Sequence, residues 1–252
     1  MIVLKHSGPV TTLLMSRPSV NAIDPAFIVA FDKALDKIRE VKTTVVVIRS
    51  DQKCFSAGAD LSLIQGFFSK PSGTAEMVAY VKTLHRLFDR LEKLEAVTVA
   101  AIAGPALGGG LEMALACDLR IATHAAKLGL PETRIGMIPG AGGTQRLPRL
   151  CGPGVAARLI LGAEVIDGRE AARLGVVQWS VEAGEMDAKI GEVAQRVAGL
   201  SRPALIAAKD CLAAAFDPAA DGYAREIEKP LTLMETPEAR ARIAAFFASK
   251  TK

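Results

Sequence analysis

The run Val97-Thr-Val-Ala-Ala-Ile102, continued by Gly104-Pro-Ala-Leu-Gly108-Gly109-Gly110 and then Leu111-Glu112-Met-Ala-Leu-Ala-Cys117, sets the architecture of this chain. An apolar, β-branched run of six residues reads as a strand covered on both faces, as in a parallel sheet packed between helices. The glycines break it, and the apolar segment after them reads as a helix. A further strand, Leu119 to Ala122, follows directly. Strand, glycine loop, helix and strand in succession imply a layered α/β protein whose strand-end loops are available for chemistry.

Upstream, Ile2 to His6 and Val10 to Met15 read as strands joined by a hairpin turn at Ser7-Gly8-Pro9. Asp24 is a good N-cap and Pro25 suits the first helical position. Phe27, Phe31, Leu35 and Ile38 then recur at helical spacing as far as Val41. Val45 to Arg49 reads as a strand and Ser50 to Asp60 as a loop. Gly66 to Gly73, rich in Gly, Ser and Pro, reads as a flexible segment before a long helix from about Thr74 to Leu94. Met77, Val81, Leu84, Phe88 and Leu91 form the apolar stripe of that helix. From Pro153 onward the pattern is mainly helical. Asp167 caps a short helix, Met186, Ile190, Val193, Val197 and Leu200 mark the next, and two or three more occupy Pro203 to Phe247. Stripes at Tyr223, Ile227 and Leu231 and at Ile243, Phe246 and Phe247 belong to these. The economical division is a strand-rich core over residues 1–195 and a helical region over 196–252.

With 252 residues, half of them apolar, the chain has ample material for a buried core. Its longest apolar stretches fall far short of the roughly 20 residues needed to cross a bilayer. Met1 to His6 reads as a strand and not as a targeting segment, so a cytoplasmic location is expected. Cys54, Cys117, Cys151 and Cys211 form no CxxC pair and no cluster at metal-ligand spacing, and read as reduced thiols with no metal site. The 31 basic and 27 acidic residues leave a net charge of +4 without a dense basic run. Nothing in that distribution argues for nucleic acid.

Two glycine-containing loops follow strands: Ser56-Ala57-Gly58-Ala59-Asp60, and Leu107-Gly108-Gly109-Gly110. Glycines there let backbone N–H groups approach a ligand, and the second loop enters a helix, which suits an anion or a developing oxyanion. Ordinary turn chemistry explains each loop equally well when it is taken alone. Glu112 lies in the first turn of the helix among apolar neighbours. It is either a residue that stabilises the helix dipole or a buried carboxylate with a purpose. Glu132, after Pro131, reads by itself as a solvated residue at a helix start. Gly136-Met-Ile-Pro-Gly140-Ala-Gly142-Gly143-Thr-Gln-Arg146 suggests phosphate binding only weakly, lacking the Lys-Ser/Thr ending of a P-loop. His6, His85 and His124 have no acid or nucleophile at recognisable spacing, and Cys54 and Ser56 lie in no nucleophile signature.

Taken together, Cys54-Phe-Ser-Ala-Gly-Ala-Asp-Leu61, the segment from Ala103 to Asp118 and the segment from Leu128 to Leu147 resemble, in order and separation, the signatures of the enoyl-CoA hydratase/isomerase (crotonase) family. Weaker similarity runs from Arg17-Pro-Ser-Val-Asn-Ala22 to the helical Glu238 to Phe247. The resemblance implies an α/β fold with a spiral core of repeated ββα units and a helical C-terminal trimerisation region, trimers often pairing as hexamers. It implies an acyl-CoA thioester substrate, with coenzyme A part of that substrate and no separate cofactor.

By the same resemblance the thioester carbonyl accepts from the N–H groups of Ala59 and Gly109. Glu112 mainly activates water, and Glu132 mainly transfers a proton at C2. Coenzyme A contacts map to Ala22, Ala57, Ala59, Asp60, Leu61 and Gly109. Where many relatives carry basic residues near the CoA phosphates, this chain has Ser19-Val20 and Leu61-Ser62, which leaves Lys250 or Lys252 as candidates. Holding both glutamates favours hydration of a 2-trans-enoyl-CoA over a dedicated Δ3,Δ2-isomerase. Another acyl-CoA activity of the family, or a non-catalytic CoA- or RNA-binding role, is the alternative.

Overall fold

The computed structural model describes residues 1–250, which form two compact units, Met1–Gln195 and the chain from Arg196 onward. Lys252 lies outside the described residues, so its expected part in coenzyme binding has no structural counterpart here. In the first unit, β1 (Ile2–Ser7) and β2 (Val10–Met15) form the expected antiparallel hairpin. β2 then pairs in parallel with β3 (Val45–Ser50), β3 with β4 (Val97–Ile102), β4 with β6 (Leu119–Thr123), and β6 with β9 (Trp179–Val181). The order of this six-stranded sheet is β1-β2-β3-β4-β6-β9. A smaller sheet holds β5 (Ala106–Leu107), β7 (Lys127–Gly129) and β8 (Val165–Asp167).

The spiral comes from alternation between the two sheets. β4 in the large sheet leads to β5 in the small one and then to α4 (Gly109–Leu115). β6 leads to β7, to a 3-10 turn at Pro131–Ile135 and to α5 (Gly143–Ile160). β4 is as buried as its apolar run requires. Its one polar residue, Thr98, is satisfied by Asp118, whose Oδ2 accepts from both the Thr98 amide and hydroxyl.

α1 (Pro25–Glu40) begins where expected, the Asp24 carboxylate accepting from the Phe27 N–H at 2.7 Å. Its buried face, Phe27, Phe31, Leu35 and Ile38, joins one apolar core with Leu84, Leu87, Phe88 and Leu91 of α3 (Gly73–Glu92). One expectation fails here. Gly66 to Gly73 is not one irregular segment, because Leu61–Phe68 is a helix, α2, and Gly73 already opens α3, which leaves only residues 69–72 as the turn between them. The Asp60 carboxylate caps α2 by accepting from Ser62 and Leu63, while Ile64 is buried and the Phe67 ring packs on Tyr80. α5 likewise extends N-terminal of Pro153, with a break at Gly152 (φ 81°) that separates its two halves. Asp167 caps α6 (Gly168–Arg173), and α7 spans Met186–Ala198.

Among the described residues the C-terminal unit holds the end of α7 and the helices α8 (Arg202–Ala214), α9 (Gly222–Met234) and α10 (Pro237–Lys250). Asp210 of α8 pairs with Arg225 and Lys229 of α9. The stripes at Tyr223, Ile227 and Leu231 and at Ile243, Phe246 and Phe247 are exposed. Among the described residues no helix is long and apolar enough to cross a membrane, and no group of three or more His, Cys, Asp or Glu side chains is placed to hold a metal. The four cysteines are thiols and form no disulfide among the described residues.

Candidate active site

The loop after β3 is laid against the segment preceding α1. Asn21, wholly buried and left-handed at φ 48°, donates from Nδ2 to Ser50 Oγ at 2.7 Å and to the Phe55 carbonyl at 3.1 Å. Ser56, which lies in no nucleophile signature, is part of the same framework. Its hydroxyl donates to Asn21 O at 2.8 Å and accepts from the Gly58 N–H. The Ile23 N–H donates to Gly58 O at 2.8 Å, and Ile23 O accepts from the Asp60 N–H and from the Tyr80 hydroxyl at 2.7 Å. Ala59 sits between these bonds, and its own N–H has no acceptor among the described residues.

The loop after β5 meets this one backbone to backbone. A Cβ on Gly58 (φ 90°) would stand 2.7 Å from Leu107 O and 2.9 Å from Gly109 N, so no side chain fits between the two loops. Gly109, the first residue of α4, also has an N–H without an acceptor among the described residues, as the geometry of a helix start dictates. A Cβ on Gly109 would lie 3.5 Å from the Ala59 nitrogen, which puts two unpaired backbone donors side by side.

Glu112 projects from the same first turn of α4 and is 2% exposed. Its Oε1 accepts from the Ala141 and Gly143 N–H groups, both at 2.7 Å. The glycine-rich stretch from Gly136 to Arg146 therefore does cradle an anion, and the anion is this carboxylate. Burial pushes the Glu112 carboxyl up to about 7; the Gly143 N–H opposes that, the Glu132 charge adds to it, and the Ala141 N–H and Arg146 oppose it. Glu132 stands second in the 3-10 turn, half-buried, and its Oε2 is enclosed without a partner among the described residues. Its Oε1 lies over Gly108, 2.7 Å from where a Cβ would be. Burial raises this carboxyl as well. Two acids of raised proton affinity next to two free N–H donors can stabilise a developing anion while moving a proton.

Ala57 and Asp60 lie on the first loop, Leu61 opens α2, and Ala22 lies in the segment before α1 that packs against that loop. Ala57 is exposed, with its N–H spent on Val20 O at 2.9 Å, and Leu61 is exposed at the start of α2. The Ala22 carbonyl accepts from Arg17 Nη1. Arg17 was not singled out from the sequence; it pairs with Asp24 at 2.6 Å and lies 4.0 Å from Asp60, a cation already committed to two acids. Tyr80, Ala141, Gly143 and Arg146 were missed as well. Only the glycine-rich stretch carried any signal of them. His6 and His124 bond to Thr11 and Ser180, away from the glutamates, while His85 bonds the carbonyl of Gly140 at the edge of the turn that holds Glu112.

The sequence profile of the enoyl-CoA hydratase/isomerase family matches residues 5–246. A protein of Arabidopsis thaliana named probable enoyl-CoA hydratase 2, mitochondrial, is 45% identical over 186 residues, 73% of this chain and 60% of that protein. The short-chain-enoyl-CoA hydratase of Clostridium acetobutylicum is 37% identical over 199 residues, 78% of this chain and 74% of that one. The solved enoyl-CoA hydratase from Bacillus anthracis superposes with a TM-score of 0.91 at 32% identity, covering 98% of this chain and 96% of the other. The matched stretch spans less than two thirds of the Arabidopsis protein. Profile, sequence and fold agree, and the chain belongs to the enoyl-CoA hydratase/isomerase family.

Proposed function

We propose that the chain adds water across a 2-trans-enoyl-CoA to give a 3-hydroxyacyl-CoA. The observation that carries this reading is the pair of unpaired N–H groups, Ala59 and Gly109, beside two carboxyls of raised proton affinity. Addition of water at C3 drives electron density onto the thioester oxygen. Donors aimed at that oxygen bind the enolate-like state more tightly than the substrate, each worth about 2.7–4 kcal/mol in comparable sites. Glu112, fixed through Oε1, takes a proton from water as it attacks C3. Glu132, with Oε2 unspent, delivers a proton to C2. The two share one proton inventory and titrate as a pair. Coenzyme A enters as part of the substrate, along the loop carrying Ala57, Ala59 and Asp60, with Leu61 at the start of α2 and Ala22 before α1 beside it, and the reaction needs no other cofactor.

Relatives named for short-chain enoyl, crotonyl and methylglutaconyl thioesters support hydration without choosing the acyl group. The unpartnered Glu132 Oε2 also supports a side Δ3,Δ2-isomerase activity, in which one carboxyl carries a proton between C4 and C2. The exposed apolar stripes of α9 and α10 support a homotrimer, or a dimer of trimers, as the working assembly. A cytoplasmic location belongs to the same proposal; the mitochondrial name of the Arabidopsis relative stands against it.

Loss of enoyl-thioester absorbance with crotonyl-CoA tests the reading. Glu112→Gln and Glu132→Gln should each lower kcat by roughly 10²–10⁴-fold with little change in KM. No absorbance loss across short, long and branched enoyl-CoAs would sink hydration, and near-wild-type turnover in either variant would remove that residue from the mechanism.

A further inference from the structure

Both bonds to Glu112 Oε1 come from the backbone of the turn at 141–143, so the carboxylate goes where that turn goes. Ala141 and Gly142 form a turn that runs into α5 at Gly143, and the first helical N–H groups, of Gln145 and Arg146, donate to the Gly142 carbonyl. The side chain that fastens this turn is Arg146, in the first turn of α5 and 8% exposed. Arg146 Nη1 donates to the Ala141 carbonyl at 3.1 Å, on the same residue whose N–H holds Glu112. Nε and Nη2 donate to Glu92 Oε2 at 3.0 and 2.7 Å, and Nη2 also reaches Asp89 Oδ1 at 2.8 Å. Gly142 (φ 107°) leaves room for this. A Cβ there would stand 2.2 Å from Arg146 Nη1, so the guanidinium fills the space a side chain would take.

We infer that Arg146 is the positioning residue of the glutamate pair. By locking the 141–143 turn onto Asp89 and Glu92 of α3, it commits Glu112 Oε1 to the protein and leaves Oε2 as the oxygen that meets water. The inference rests on the hydration reading above and deepens it. Among the described residues Glu112 Oε2 has no hydrogen-bond partner, whereas Oε1 has two. The charged and titratable groups that face Glu112 are Glu132 from the 3-10 turn, Arg146 from α5 and the Tyr80 hydroxyl from α3, and of these Arg146 is the only cation. Removing it lets the turn drift and takes away the positive charge, and both changes favour the protonated carboxyl.

The test compares Arg146→Gln, Arg146→Lys and the double variant Asp89→Asn/Glu92→Gln in steady-state kinetics across pH, alongside a ¹³C-glutamate NMR titration with the Glu112 signal assigned by Glu112→Gln. Arg146→Gln should lower kcat by about 10²-fold, as expected when a reacting group is misplaced by an ångström, and leave KM nearly unchanged. The acid limb of kcat/KM and the NMR midpoint should both move to higher pH. Arg146→Lys should return the limb toward its wild-type place while restoring only part of kcat, since a lysine keeps the charge and loses the fork. The double variant removes only half-exposed carboxylates, so it keeps the test alive if Arg146→Gln fails to fold, and it should lower kcat in the same direction. An unchanged pH limb and NMR midpoint in Arg146→Gln, or in its absence unchanged kcat in the double variant, would overturn the inference. If the wild type hydrates no enoyl-CoA, the functional reading fails, and the NMR titration still decides whether Arg146 governs Glu112.

Discussion

Replacing Glu112 by glutamine should make the protein more stable at neutral and alkaline pH. In the fold this carboxyl titrates near 7, against an ordinary value of 4.5, chiefly because it is buried. Ionising it inside the protein therefore costs about 3 kcal/mol more than ionising it in the unfolded chain. The sign follows from proton binding. Below pH 4.5 both states carry the proton and no penalty exists. Between 4.5 and 7 only the folded state keeps it, so stability falls as pH rises, and above 7 the full penalty is in place. Glutamine has nearly the same shape, and its carbonyl oxygen can accept from both Ala141 and Gly143, so the two N–H bonds survive while the charge disappears. Urea denaturation of both proteins from pH 4.5 to 9 provides the measurement. The gap between the curves should open by about 3 kcal/mol in favour of Glu112→Gln across that window, with the same m-value in both proteins. Parallel curves would mean that Glu112 ionises as freely in the fold as in water, and the argument from its burial would be wrong.

Two more substitutions probe the site from other sides. Gly108→Ala would place a methyl 2.7 Å from Glu132 Oε1 at a backbone φ of 52°. The expected cost in urea denaturation is about 1–3 kcal/mol of strain, with a fall in kcat larger than in Glu112-independent binding of the thioester. Tyr80→Phe removes the hydroxyl that holds Ile23 O, the strut behind the Ala59 N–H. Thermal denaturation should register a loss of about 1 kcal/mol, and kcat should fall while KM holds.

The parts of the fold that sequence made legible are those whose causes are local. Asp24-Pro25 announces a helix because cap and first turn are adjacent residues, and Val97 to Ile102 announces a buried strand because both faces are apolar. α2 escaped because Gly66 and the polar segment after Phe68 mask a helix whose support is the Asp60 cap and the packing of Phe67 on Tyr80, a residue of another helix. β5 and β7, two and three residues long, carry no periodicity to read. At the site, the glycine loops and both glutamates could be named, because family resemblance supplied what the residues alone left open. The anchoring of Glu112 by Ala141 and Gly143 could not, since backbone donors look alike in every sequence and the contact spans 29 and 31 positions. The Gly136 to Arg146 stretch is only a weak phosphate motif in sequence, and its N–H groups at Ala141 and Gly143 instead hold the Glu112 carboxyl.

The two unpaired donors have a consequence for how this protein comes alive after synthesis. Ala59 owes its place to Ile23 and Tyr80, and Gly109 owes its place to the contact with Gly58 and to Gly108, whose N–H donates to Gly129 O at 3.0 Å. No fragment contains both donors and all their supports until the parallel pairing of β2, β3, β4 and β6 has closed. Helices return early in refolding because their contacts are near in sequence, whereas these long-range strand pairings come late. On that account the helical signal in circular dichroism is expected to return before turnover when the unfolded chain is allowed to refold.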